Sequence, residues 1–197
     1  NAKSYKIGDK ISEEIEFYKK YKFELPSGTW TIADRFRYSY YGATAKGYTL
    51  LKIKGNKAIE GFSIAELDIG ARFQSAFNDV LHLIMFKNEY DGCYERPEYY
   101  KLALYKKGSA HNCLVIEHFE VKKDIYFPED PEATFAQLKK WLRGTNYTLP
   151  PIMLGSSHSY FSRLTGGNLY RIGYAIDPLL LGAPESEFKT EETSEYH

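Results

Sequence analysis

Glu117 and His118 are the side chains whose types and positions best suit general acid or base catalysis. They lie in the stretch 113–122, whose alternate residues are apolar, so a β-strand there places one of the two groups on an apolar face. A partly buried carboxylate or imidazole needs a partner, and its pKa is easily displaced. Arg96 is near in sequence and is a candidate partner. A purely structural pair is the competing interpretation.

The segment 155–159, Gly-Ser-Ser-His-Ser, is the candidate for nucleophilic catalysis. It lacks the Gly-x-Ser-x-Gly turn of the α/β-hydrolases, and a serine next to a histidine in sequence rarely meets it in space. A polar loop is therefore the expected structure. A hydrolase that combines Glu117 and His118 with the Ser157-His158 loop is kept as an alternative.

Metal and cofactor motifs do not occur in the sequence. No histidine pair has i, i+4 spacing, no Cys-x-x-Cys occurs, and no acidic triplet resembles a calcium loop. No glycine-rich loop leads from a predicted strand into a helix, as nucleotide binding requires. We predict no metal and no cofactor. The histidines are His82, His111, His118, His158 and His197.

The two cysteines, Cys93 and Cys113, border the same predicted hairpin. An even, low count favours one disulfide in an oxidising compartment, and two buried thiols in a cytosolic protein are the alternative. The chain opens Asn1-Ala2-Lys3, without an initiator methionine or an apolar leader. Signal-peptide cleavage or another form of trimming explains that start, and a secreted or periplasmic location is the expectation.

Tyrosine and phenylalanine dominate the aromatic residues, with 18 and 12 copies against 2 of tryptophan. Tyrosine suits strands and surfaces that are apolar on one side and wet on the other. Such a composition predicts either half-buried strand positions or an aromatic binding surface. The residues predicted to bind a ligand are Tyr38, Tyr40, Arg96, Tyr170 and Tyr174.

Charge and hydropathy narrow the classes of partner. Lysine plus arginine and aspartate plus glutamate balance at 26 each, so we expect no nucleic-acid partner. No apolar run approaches the roughly 18 residues of a membrane-spanning helix. The remaining classes of partner are a protein and a small ligand, and the sequence identifies neither.

Hydrophobicity of period two runs through most of the chain and predicts strands. Gly55-Asn56 between two such runs is a signal for a two-residue hairpin. Predicted strands cover residues 13–25, 30–41, 47–54, 57–67, 99–105 and 113–122, with two more around Gly166-Gly167.

Two stretches carry a helical pattern instead. Residues 71–86 place apolar side chains on one helix face, although a buried strand competes near its end. Residues 131–143 follow an N-cap at Asp130 and stop at Gly144. We predict a mainly β fold, an antiparallel sandwich or barrel-like sheet with one or two packed α-helices. Residues 1–184 form one domain, and 185–197 form an acidic C-terminal arm or tail.

Gly28-Thr29-Trp30, with Phe23 upstream, resembles the Gly-x-Trp that opens the first barrel strand of lipocalins. The resemblance covers these few residues and implies, as an alternative, a barrel that binds a small lipophilic or saccharide ligand. The leading hypothesis is a non-catalytic binding or protein-interaction domain outside the cytoplasm. It depends on the missing catalytic motif, the tyrosine-rich faces and the acidic end.

Overall fold

The computed structural model describes residues 4–17, 21–40, 43–68, 99–106, 110–121, 136–162 and 169–183. These residues form mostly β-strands, together with one α-helix and one short 3-10 helix. In chain order the elements are β1 (Lys10–Ile11), β2 (Glu14–Phe17), β3 (Tyr21–Glu24), β4 (Trp30–Tyr40), β5 (Ala43–Lys54), β6 (Lys57–Asp68), β7 (Tyr99–Lys106), β8 (Ala110–Glu120), α1 (Ala136–Arg143), β9 (Ile152–Ser162), β10 (Leu169–Ile176) and the 3-10 helix Pro178–Leu181.

Eight of the strands form one antiparallel sheet in the order β1-β4-β5-β6-β10-β9-β8-β7. The connection between β5 and β6 is the predicted hairpin, where Gly55 has a φ of 64° that a glycine adopts without strain. Strands β1 and β7 lie at opposite ends of the strand order. The sheet is therefore open over the described strands, and the predicted mainly β fold is confirmed without a closed barrel.

The two faces of the sheet are covered by different elements. Strands β2 and β3 form a separate hairpin, and its apolar side packs on the sheet face that we call the hairpin face. Helix α1 packs on the opposite face, which we call the helix face. The hairpin-face core consists of Tyr5, Ile15, Phe17, Leu25, Trp30, Ile32, Tyr48, Leu50, Phe62 and Ile64. The helix-face core consists of Ala33, Leu51, Ala58, Val121, Leu138, Leu142 and Met153.

One predicted strand is two strands. Residues 13–25 were expected to form a single strand, but β2 and β3 pair with each other, with Phe17 opposite Tyr21 and Ile15 opposite Phe23. Because odd residues of β2 pair with odd residues of β3, the same alternation stays on one face. The hydrophobic pattern therefore continues unchanged from β2 to β3.

The second predicted helix is confirmed over Ala136–Arg143, and its proposed N-cap lies outside the described residues. Leu138 and Leu142 are buried on one side of this helix, as the 3.6 period requires. The predicted helix 71–86 and the acidic segment 185–197 also lie outside the described residues. No helix in the described ranges is long and apolar enough to cross a bilayer.

Candidate functional site

The register of β10, β9 and β8 places a continuous set of side chains on the hairpin face, next to the core under the β2–β3 hairpin, against which Ile172 and Tyr174 pack. His158 lies opposite Ile172 on one side and Leu114 on the other, and Ser156 lies between Tyr174 and Ile116 in the same way. We call this set the β8–β10 face. Its members are Asn112, Leu114, Ile116, His118, Leu154, Ser156, His158, Tyr160, Ile172, Tyr174 and Ile176.

Every side chain of the β8–β10 face is partly exposed, although β9 and β10 are central strands of the sheet. On the neighbouring strand β6 the same face is closed, and Phe62 and Ile64 are 6% and 0% exposed. Central strands normally bury at least one face against a second layer. The β8–β10 face is thus only partly covered.

The β8–β10 face carries both apolar and hydrogen-bonding groups. None of its members is a lysine, arginine, aspartate or glutamate. His158 Nε2 lies 2.6 Å from Asn112 Oδ1. Because an amide oxygen only accepts, the Nε2–H donates in this contact, and Nδ1 of a neutral ring is then the acceptor. Ser156 Oγ donates to the Tyr174 carbonyl oxygen at 3.4 Å.

Two largely buried ion pairs lie between the β8–β10 face and the part of the sheet under the β2–β3 hairpin. Lys52 Nζ lies 2.6 Å from Glu60 Oε1, and the Tyr174 hydroxyl donates to Glu60 Oε2 at 2.6 Å. Burial and the hydrogen bond to Glu60 raise the pKa of Tyr174, so its hydroxyl remains a donor. Tyr174 is held in one orientation by these contacts.

Tyr170 is held by a second group of the same composition. Lys46 Nζ lies 2.7 Å from Glu66 Oε2, and the Tyr170 hydroxyl donates to Glu66 Oε1 at 3.0 Å. The same hydroxyl lies 3.1 Å from the hydroxyl of Tyr21 on the β2–β3 hairpin. Each of these two tyrosines is thus anchored by a glutamate of β6 that is itself paired with a lysine of β5.

Ser157 and His158, which the hydrolase hypothesis combines, do not lie on the same face of the sheet. Ser157 and His158 lie within strand β9, not in the predicted loop, so their side chains point to opposite faces. Glu117 and His118 are separated in the same way on β8. Ser157 Oγ instead accepts from Arg171 Nε at 2.7 Å on the helix face, where burial lowers the pKa of Arg171. A guanidinium donor does not activate a serine as a general base does.

A further polar pair, Asp34 and Thr49, was not identified from the sequence. The two residues lie directly opposite each other on the helix face of β4 and β5, and they are 0% and 6% exposed. Among the described residues, none makes a hydrogen bond of good geometry with either carboxylate oxygen of Asp34 or with Thr49 Oγ1, although the backbone N–H groups of Arg35 and Leu138 lie near the Asp34 carboxylate. Burial raises the pKa of Asp34 to about 6, which the nearby N–H groups of Arg35 and Leu138 only partly offset.

The predicted ligand-binding and disulfide residues fall partly in the described ranges. Tyr174 belongs to the β8–β10 face, and Tyr170 lies on its border. Tyr38 and Tyr40 are on β4, but their side chains are outside what the structure describes, as are Arg96 and Cys93. Cys113 is fully buried on the helix face of β8. The Cys93–Cys113 disulfide stays a prediction.

Over the described ranges, no three histidine, cysteine, aspartate or glutamate side chains are grouped as a metal site would require. Comparison with protein families, with curated proteins and with solved structures finds no match to this chain.

Proposed function

We propose that this chain is a non-catalytic protein-interaction domain and that the β8–β10 face is its contact surface. The observation that carries the proposal is the partial exposure of this whole set of side chains on two central strands and their neighbour. A sheet buries such positions when a second layer of the same domain covers them. Here a partner would supply that second layer.

The composition of the face suits a protein partner better than a nucleic acid or an anionic membrane. Interface centres are enriched in tyrosine and depleted in charged residues, as this face is. Nucleic-acid surfaces depend on lysine and arginine contacts to phosphates, and the β8–β10 face contains neither. A protein partner is accordingly the occupant to which we commit.

Tyr174 supports this proposal because it is partly exposed and its orientation is already fixed. Its hydroxyl donates to Glu60, so its ring need not be ordered when a partner binds, whereas Tyr170, which donates to Glu66, is buried beside this surface. Immobilising a free side chain at an interface costs about 0.5–1.5 kcal/mol, and preorganised rings avoid that cost. Rigid aromatic anchors of this kind are typical of binding hot spots.

A location outside the cytoplasm belongs to the same proposal. It is supported by the pair Cys93 and Cys113, which would persist as a disulfide in an oxidising compartment. Cys113 is 0% exposed on the helix face, so a bond there would leave the β8–β10 face unobstructed.

The test places a charged, bulky side chain in the middle of the face. Ser156→Arg is the test variant, and Ser27→Arg, at an exposed turn remote from this face, is the matched control. Partners are first identified by cross-linking the wild-type chain in its source cells, and each is then purified and titrated against the three proteins. We expect a partner whose affinity falls at least about tenfold with Ser156→Arg and is unchanged with Ser27→Arg. Equal binding by both variants would overturn the proposal.

A further inference from the structure

Within the described part of the chain, strand β4 has an unpaired edge along most of its length. Strand β1 pairs with β4 only at Trp30 and Thr31, and the backbone of Ile32 bonds to Gly8 and Asp9. From residue 34 to residue 40, the side of β4 that faces away from β5 has no strand partner among the described residues. An unpaired edge presents a row of N–H and C=O groups to any extended chain.

The register shows which residues of β4 present those groups. The N–H and C=O of Ile32 both point away from β5, since they bond to Asp9 and Gly8. The pairing shifts by one residue at the bulge between Ile32 and Asp34, after which Arg35 is opposite Tyr48 and Arg37 opposite Lys46. Because alternate pairs of an antiparallel ladder point outward, the outward residues are Arg35, Arg37 and then Ser39.

The side chains of the same residues carry positive charge. Arg35 and Arg37 are both exposed, and both lie on the hairpin face, in register with Tyr48 and Lys46. Arg35 Nη1 donates to Ser4 Oγ at 3.2 Å, and Arg37 makes no ion pair or hydrogen bond with any residue that the structure describes. Two guanidinium groups, two residues apart and on the same face, thus lie beside the unpaired backbone edge of β4.

We infer that the β4 edge binds an extended acidic segment of a partner protein, which adds one strand to the sheet. The added strand would bond to the outward N–H and C=O groups of Arg35, Arg37 and Ser39. Side chains directly opposite each other in paired strands lie about 5 Å apart, so carboxylates at alternate positions of the segment would meet the two guanidinium groups. Backbone pairing supplies affinity, and the alternate charges set the register.

This inference concerns a surface separate from the β8–β10 face and does not depend on the proposed function. The arginines lie on β4, and strands β5 and β6 separate β4 from β10, the nearest strand of the β8–β10 face. The variants that test the two proposals are different, so one can fail while the other holds.

The probe is a fluorescent heptapeptide of alternating glutamate and valine, titrated against the full chain by anisotropy at low and moderate salt. We expect saturable binding, at least about tenfold weaker for Arg35→Glu/Arg37→Glu and unchanged for Lys140→Glu, an exposed charge on α1. A peptide with lysine in place of glutamate should not bind. Absence of binding by the acidic peptide would mean that the arginines only protect the edge from other strands, and it would overturn the inference.

Two further peptides separate strand addition from simple charge attraction. Each is N-methylated at alternate residues, one at the odd positions and the other at the even positions. Added strands bond through only one of these sets, so we expect one peptide to lose at least about tenfold in affinity and the other to bind normally. Equal binding by both would contradict strand addition.

Discussion

Replacing Asp34 by asparagine removes a charge from a position that is 0% exposed and keeps the size of the side chain. Burial raises the pKa of this carboxyl from its ordinary 3.8 to about 6 in the folded chain. The folded state therefore holds the proton more tightly than the unfolded state does. As pH rises between these two values, ionisation of Asp34 costs stability.

The magnitude follows from the displacement of the pKa. A displacement of roughly two units at 1.36 kcal/mol each corresponds to about 3 kcal/mol of stability lost above pH 6 and restored below pH 4. About 2 kcal/mol of this falls between pH 4.5 and pH 7.5. Asparagine has no charge to bury, so Asp34→Asn should lack this loss.

The assay is urea unfolding of the wild type and of Asp34→Asn at pH 4.5 and at pH 7.5. We expect the difference in unfolding free energy, variant minus wild type, to be about 2 kcal/mol larger at pH 7.5 than at pH 4.5. Asp9→Asn is the control, because the Asp9 carboxylate is partly exposed and accepts from the Lys6 N–H at 2.8 Å. A difference for Asp34→Asn that is constant or falls with rising pH would refute the account of this site.

Two further predictions concern the packing of β5, and a third concerns the cysteines. Thr49→Val should raise the free energy of unfolding by about 1 kcal/mol in urea titration, because it replaces a buried hydroxyl that no described residue pairs with by a methyl group; a loss of stability would contradict this. Gly47→Ala should lower it by about 2 kcal/mol, because the added carbon would press on the Ile64 carbonyl oxygen, and an unchanged midpoint would show otherwise. Thiol titration of the unfolded, unreduced protein should find no free sulfhydryl if Cys93 and Cys113 are bonded, and two would exclude the bond.

The arrangement of the strands was largely predictable because most of them repeat with period two and end at glycine-containing turns. Strands β5 and β6 follow this rule around Gly55-Asn56, and the structure confirms their pairing. The β2–β3 hairpin was not predicted, because the pairing of Phe17 with Tyr21 preserves the apolar alternation from β2 to β3. One long strand and two paired strands then have the same sequence pattern, and only the three-dimensional structure distinguishes them.

The candidate site was less predictable, because exposure depends on which layer covers which part of the sheet. The alternation in β10 predicted that Tyr170 and Tyr174 lie on one face of a strand. It could not show that the β2–β3 hairpin ends beside them. Asp34 was hidden for another reason. The bulge after Ile32 reverses which parity of β4 faces the helix, so an alternation counted from Trp30 assigns Asp34 to the wrong side.

One missed signal was present in the sequence. Glu60 and Glu66 interrupt the apolar parity of β6. A regular two-residue hairpin at Gly55-Asn56 would place Ile59 opposite Lys52, and only the irregularity between Lys52 and Ile53 brings Glu60 opposite Lys52 and Glu66 opposite Lys46. The argument made for Glu117 therefore predicts that each of these carboxylates needs a partner, but not which lysine it meets. The tyrosines that complete each group come from β10, and only the sheet order places them there.

Hydroxyl-radical footprinting of the chain, alone and with its partner, tests the proposed contact surface most directly. In the free chain we expect oxidation of Tyr160 and Ile116, because both are partly exposed on the β8–β10 face. Addition of the partner should suppress oxidation at both and leave Leu181, which is 61% exposed on the 3-10 helix, unchanged. Protection of Leu181 with continued oxidation of Tyr160 would contradict the account.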